Sequence, residues 1–237
     1  MKIAVINISG NVGKSTIAGH LLKPRMNGAQ VYSIESMNAD LSNNSFNVER
    51  IKARRFGELQ AQLILAADAI IDIGASNVEE FLALMQQYDG SHEEFDYFLV
   101  PTTNVQKQQA DTINTIRILS GIGVPSEKIR LIFNKVAIDQ LDDLREDFAA
   151  LFGFAQADKS FQLCTGAVIH ENEIFELVKS TGKTLDQITS DSIDYREKLR
   201  AANSDEEKAI CVRMILLKRL AITANKNLDV VFANALR

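Results

Sequence analysis

The stretch "NISGNVGKST" at residues 7–16 follows directly on the apolar run "KIAVI" and leads into "IAGHLL". Gly10 and Gly13 permit a tight turn in which successive backbone N–H groups face one point. A helix starting near Lys14 adds the positive end of its dipole to that point. The arrangement is a phosphate cradle: Lys14 is placed to neutralise β- and γ-phosphate charge, and Ser15 to ligate Mg²⁺. It fits the common G-x-x-x-x-G-K-[ST] template imperfectly, because Ile8 stands where that template has glycine. The cradle also dictates local architecture, since it works only between a buried strand and a helix.

The rest of the chain repeats that order. Residues 3–8 read as a buried strand, followed by a helix that Pro24 stops. Residues 29–36 ("AQVYSIES") form a second strand, and 38–47 a polar loop rich in Ser and Asn. A helix is expected over 48–67, and "DAIIDIG" is the third strand. Asn77 with Glu80 then suggests a capping box. "FDYFLVP" and "KIRLIFNKV" are the fourth and fifth strands, each followed by a helix; "KSFQLC" is a sixth, edge strand and 170–188 a further helix. Continuous apolar strands separated by helices imply a parallel sheet covered on both faces, with right-handed crossovers. The expected fold is therefore α/β, a doubly wound, mostly parallel sheet whose ligands bind at the carboxyl ends of the strands.

The tail differs. "SDEE" at 204–207 is a capping box, and a long helix runs on towards residue 237. Ile210, Met214, Leu217, Ala221, Ala224, Leu228, Val231 and Ala235 follow alternating steps of four and three, a heptad seam. Lys208, Lys218, Arg219 and Lys226 lie on the opposite arc, interrupted by Ile215 and Ile222. The plain reading is a terminal helix packed on its own domain. A helix-mediated dimer or partner contact and a helix lying on a membrane surface are the alternatives. The division expected is a nucleotide-binding domain over 1–190 and a helical extension over 191–237.

Bulk properties exclude several classes. With 237 residues, 46% hydrophobic and 24% charged, the chain has the composition of a globular protein. A net charge of −5 gives no overall attraction to nucleic acid, so any such contact is local or delegated to a partner. The basic group Arg50, Lys52, Arg54 and Arg55 is the local candidate, and a solvated helix face is its simpler reading. Cys164 and Cys211 lack metal-ligand spacing and read as reduced thiols; His20, His92 and His170 likewise form no ligand set. The start does not resemble a signal peptide and no apolar run approaches a membrane span, so a cytoplasmic location is expected.

Asp72, at the tip of "AIIDIG", is placed to hold a magnesium shell, usually through water, or else to cap a turn. Gly74 beyond it offers a backbone N–H towards a γ-phosphate, or is a plain turn. With these residues in place, the chain resembles the deviant Walker A ATPases of the ParA/MinD family, whose K-G-G-x-G-K-[ST]-T motif aligns with Ser9, Gly10, Asn11, Val12, Gly13, Lys14, Ser15 and Thr16. The resemblance covers about residues 1–190. It makes "VYSIES" the A′ strand, "AIIDIG" Walker B, and Asn134 the asparagine that reads adenine; capping the end of its strand is that residue's other reading. The guanine motif N-K-x-D fails at Ala137. The opening residues are more similar still to the plasmid StbB/TraL proteins, which are encoded with stability and conjugation genes.

What the resemblance implies is an ATP- and Mg²⁺-binding P-loop NTPase, a homodimer working with a separate plasmid-encoded DNA-binding protein. Two positions depart from it. The signature lysine, which reaches the other subunit's phosphates, is Ser9 here, and a serine supplies no charge to a transition state. In the A′ motif, Glu35 matches the first acidic residue, but the water-positioning second is Met37. Asp40 is the candidate substitute, and an exposed loop aspartate is its other reading. Hydrolysis is therefore expected to be slow, partner-stimulated or absent. A phosphate-transfer enzyme resembling dethiobiotin synthetase would need an acceptor pocket, and no second polar cluster in the sequence builds one.

Overall fold

The computed structural model describes residues 1–34, 49–51, 55–138 and 143–236. Among the described residues, seven strands form one sheet in the order β3-β2-β4-β1-β5-β6-β7. They are β1 (Lys2–Val5), β2 (Gln30–Ile34), β3 (Glu49–Ile51), β4 (Ala69–Ile73), β5 (Tyr97–Thr102), β6 (Ile129–Val136) and β7 (Gln162–His170). Every pairing is parallel.

Alternation along the strands sends side chains to two cores. Ala4, Ile71 and Phe133 face one, covered by α2 (Phe56–Leu65), α3 (Val78–Gln87), α4 (Gln106–Ile122) and α6 (Ala149–Ala157). Ile3, Val5, Ile70 and Ile132 face the other, covered by the helix after β1, by α7 (Ile174–Leu177) and α8 (Leu185–Thr189), and by α10 (Asp205–Ala235). A short α5 (Leu144–Asp147) precedes α6, and α9 (Tyr195–Ala201) precedes α10. The doubly wound expectation holds, and the chain does carry its C-terminal helix.

Several local expectations are corrected. The helix expected over 48–67 begins only at Phe56, because residues 49–51 extend the sheet as β3, parallel to β2. A three-residue strand is too short to show a period of two against a helical pattern. Asn77 does not cap α3 through its side chain, which instead accepts from Ser76 Oγ at 3.1 Å. The sixth strand anticipated near 159–164 is β7, which runs on to His170. The helix expected over 170–188 is broken into α7, a 3₁₀ turn and α8, with Gly182 in the left-handed region between them.

The capping box at Ser204 does form: its Oγ accepts from Glu207 N at 3.2 Å, and the Glu207 carboxylate accepts from Ser204 N. From Leu217 to Ala235 the heptad seam is buried against the sheet face, whereas Ile210 is 62% exposed. Buried Cys211 takes the inward place in that turn. Both cysteines are free.

Candidate nucleotide-binding site

The loop after β1 closes over the carboxyl edge of the sheet. Asn11 (φ 59°) and Gly13 (φ 89°) both take left-handed backbone, alternating with ordinary residues as an anion-binding nest requires. Helix α1 (Lys14–Thr16) starts there and widens into a π-helical segment, Ile17–Leu22. Such wide turns are frequent at functional sites. Ser15 is exposed at the mouth, and Gly10 and Asn11 are exposed beside it.

Lys14 is only 7% exposed. Its Nζ donates to Asn7 O at 2.9 Å and to Ser9 O at 2.7 Å. Burial lowers its pKa from the ordinary lysine value to about 8, and the Asp72 carboxylate pulls it partly back up. Asp72, next to last in β4, is in register with Val5 and Ser33 and is 8% exposed, so the opposite charges lie under the same loop.

The shift has a stability consequence. The unfolded chain keeps the Lys14 proton up to about pH 10.5, while the folded chain releases it near 8. Stability of the nucleotide-free protein should therefore rise with pH through that window. Urea unfolding at pH 7.5 and 9.5 should show a gain on the order of 1–2 kcal/mol that Lys14→Met removes.

Asn134, at the sheet edge, is 4% exposed. Its Nδ2 donates to Val12 O at 2.7 Å and its Oδ1 accepts from Lys135 N at 2.9 Å. It is thus a strut of the loop as well as part of the cleft wall. Gly74, considered as a donor to γ-phosphate, gives its N–H to Ile34 O at 2.9 Å and extends the sheet instead. Ser9 is 7% exposed and folded into the loop, its N–H held by Asn7 Oδ1 at 2.8 Å. Val12 is fully buried and Thr16 half-buried. Glu35, Met37 and Asp40 lie outside the described residues, as do Lys52 and Arg54. Arg55 pairs with Glu58 at 3.1 Å on the exposed start of α2.

Sequence reading missed the frame of the loop. Asn7 is fully buried; its Nδ2 donates to Pro101 O and to Thr112 Oγ1, both at 2.8 Å. Thr115 Oγ1 accepts from Ile8 N at 3.2 Å. The signal was present as Thr112 and Thr115, polar residues three apart on the inward face of α4. Arg25 was missed as well: it donates to His20 O and Leu21 O at the end of the π-helical segment, and to Asn225 and Asp229 of α10. It joins the end of the loop helix to the C-terminal helix.

A cleft of about 690 Å³ opens between this loop and the segment after β7. Asn134 and Lys135 line it, with Glu171, Asn172, Phe175 and Lys179 on the far wall. His20 packs its ring 6.1 Å from Phe175, and burial, then the Lys179 charge, lowers its pKa to about 4. It is neutral at physiological pH. A glycine loop on one wall and mixed polar and aromatic groups on the other suit a ligand with a polyphosphate end and a planar end. Among the described residues no cluster of three or more His, Cys, Asp or Glu is built to hold a metal. Ser15 and Asp72 are the residues that could hold magnesium together with phosphate oxygens. No helix of the described residues is long and apolar enough to cross a membrane.

No protein-family profile and no curated protein matches the chain. Solved structures do. The McdA–ATP complex of Cyanothece is 17% identical over 79% of this chain and 89% of that one, with a TM-score of 0.51. MinD in the MinC:MinD cell division complex of Aquifex aeolicus is 9% identical over 96% of this chain and 95% of that one, TM-score 0.55. At these identities the likeness is one of fold, and in the second case it covers almost the whole chain. The chain has the ParA/MinD-like P-loop fold.

Proposed function

We propose that the protein is a ParA/MinD-like nucleotide switch that binds ATP with Mg²⁺ and hydrolyses it slowly or only on stimulation by a partner. The observation that carries this reading is the convergence, at one edge of the sheet, of the left-handed loop at Asn11 and Gly13, buried Lys14, exposed Ser15 and Asp72. Lys14 would exchange its two carbonyl acceptors for phosphate oxygens, Ser15 would ligate Mg²⁺ and Asp72 would hold its water shell. Bound magnesium would neutralise phosphate charge. Asn134 would face the base while keeping its grip on Val12, since its amide has a second hydrogen and a second lone pair. The ATP held by the McdA neighbour supports the choice of nucleotide.

In this reading the state of the nucleotide changes the surface shown to a partner. The task is plasmid stability, partition or conjugative DNA transfer in the cytoplasm, supported by the likeness of the opening residues to StbB/TraL proteins. The protein works as a homodimer beside a separate plasmid-encoded DNA-binding protein. Its own DNA contact is at most non-specific, which fits the net charge of −5. The inward-facing seam of α10 speaks against membrane contact through that helix. A second reading, an adaptor that binds nucleotide without useful turnover, is favoured by Ser9, which lacks the charge of the signature lysine.

The test is ATP binding and phosphate release with Mg²⁺, for the natural chain and Lys14→Ala in parallel. Binding should weaken at least about tenfold in Lys14→Ala, the loss of one charge-assisted contact to phosphate. Turnover that vanishes in the variant supports the ATPase. Tight binding without turnover supports the adaptor or a switch that needs its partner. No binding by the natural chain sinks both.

A further inference from the structure

Helix α10 carries a second stripe besides its buried seam. Asp205, Ala209, Val212, Leu216 and Arg219 are spaced by four, three, four and three residues, and all five are exposed. Val212 and Leu216 are 44% and 51% exposed, large apolar groups on a helix face with nothing over them among the described residues. Five residues separate Val212 from Leu217 of the buried seam, so the stripe lies about 140° around the helix from it. The helix thus presents one seam to its own sheet and one to solvent.

The surroundings of the stripe say what fits it. Leu199, Val212, Ile215 and Leu216 line a groove of about 320 Å³ between α9 and α10, bordered by Arg196, Arg200 and Arg219. None of these arginines forms an ion pair among the described residues. About two turns before Val212, the first turn of the same helix is acidic, with Asp205, Glu206 and Glu207. The surface therefore runs from negative through apolar to positive along a single helix, which makes it complementary to itself in reverse.

We propose that this stripe is a nucleotide-independent dimer interface, with α10 packed antiparallel against the same helix of a second copy. A two-fold axis near Val212 and Arg213 sets Leu216 over the partner's Ala209, large against small. The same axis brings Arg219 beside the partner's Asp205. Each apolar ridge then seats in the other copy's groove, and every contact is made twice. A uniform polyanion, whether duplex DNA or an anionic bilayer, fits less well, because it would meet the acidic turn as well as the arginines and leave Leu216 facing charge.

Sedimentation velocity on the full chain without nucleotide, over about a hundredfold concentration range, tests this. A reversible shift from monomer to dimer is expected. Leu216→Glu and Arg219→Glu should each weaken association at least about tenfold, and Asp205→Arg should do likewise. Arg219→Glu combined with Asp205→Arg in one chain should restore it to within about threefold, because the axis brings those positions together. All four substituted chains should bind ATP like the natural one, since the stripe lies outside the cleft. That readout reports on the switch separately from the dimer. A chain that stays monomeric, a charge swap that restores nothing, or a dimer formed only with ATP and lost in Lys14→Ala would overturn the proposal.

Discussion

Replacing Gly13 by alanine is expected to weaken ATP binding by about tenfold to a few hundredfold, roughly 1.5–3.5 kcal/mol, while Gly10→Ala changes it little. Gly13 holds φ 89°, and a Cβ there would lie 2.1 Å from Asn134 Nδ2. Alanine in left-handed backbone is strained by roughly 1–2 kcal/mol. The amide of Asn134 is the end of a side chain and can swing away, but only by giving up its 2.7 Å bond to Val12 O. That adds roughly 0.5–1.5 kcal/mol, and a loop no longer pinned at Val12 does not aim its N–H groups at one point. At Gly10 an added Cβ meets nothing within 4 Å. Isothermal titration with ATP and Mg²⁺ measures both variants. Adding Asn134→Ala to Gly13→Ala should give no recovery, because the collision is relieved only by deleting the Val12 strut and the base contact as well. Recovery in the double variant would mean that neither the Asn134 strut nor the left-handed backbone at Gly13 matters to binding.

How much of this was legible depended on the range of the interaction. The candidate phosphate loop stands out because its chemistry is local: strand, two glycines, lysine, serine and helix fall within a dozen residues. Asp72 was singled out for a similar reason, as an acid near the end of an apolar strand. The Ser204 capping box is a four-residue pattern and formed as written. Asn134 was picked out as a base reader, but its grip on Val12 joins positions 122 residues apart, and no spacing in the chain reveals it. Arg25, which reaches Asn225 and Asp229 some 200 residues on, looks in the sequence like any exposed arginine. β3 was missed because three residues carry too little pattern to compete with a helical neighbourhood. The seam of α10 was read one turn too far towards its start, since Ile210 continues the heptad in sequence after the sheet has ended in space.

The second large effect belongs to the residue beneath that strut. Phe133→Ala should destabilise the protein by about 3–5 kcal/mol, and Phe133→Leu by about 1–1.5 kcal/mol. Phe133 is fully buried, its ring 4.8 Å from Phe148 edge-on and 5.9 Å from Phe152 in a stacked arrangement. Truncation leaves a cavity that the flanking rings can fill only by abandoning that geometry. Because side chains alternate along β6, Phe133 points into the core under α4 and α6, while its neighbour Asn134 points to the loop. Packing on one face therefore holds the strand end that positions the amide on the other. Denaturant unfolding should show the loss of stability. ATP affinity, measured where Phe133→Ala is still folded, should fall by less than it does for Gly13→Ala, because the Val12 bond is loosened rather than broken. If affinity stays unchanged despite a loss of 3 kcal/mol or more, the strand end is held by its ladder bonds to β5 and β7 alone, and the aromatic cluster serves stability without setting the site.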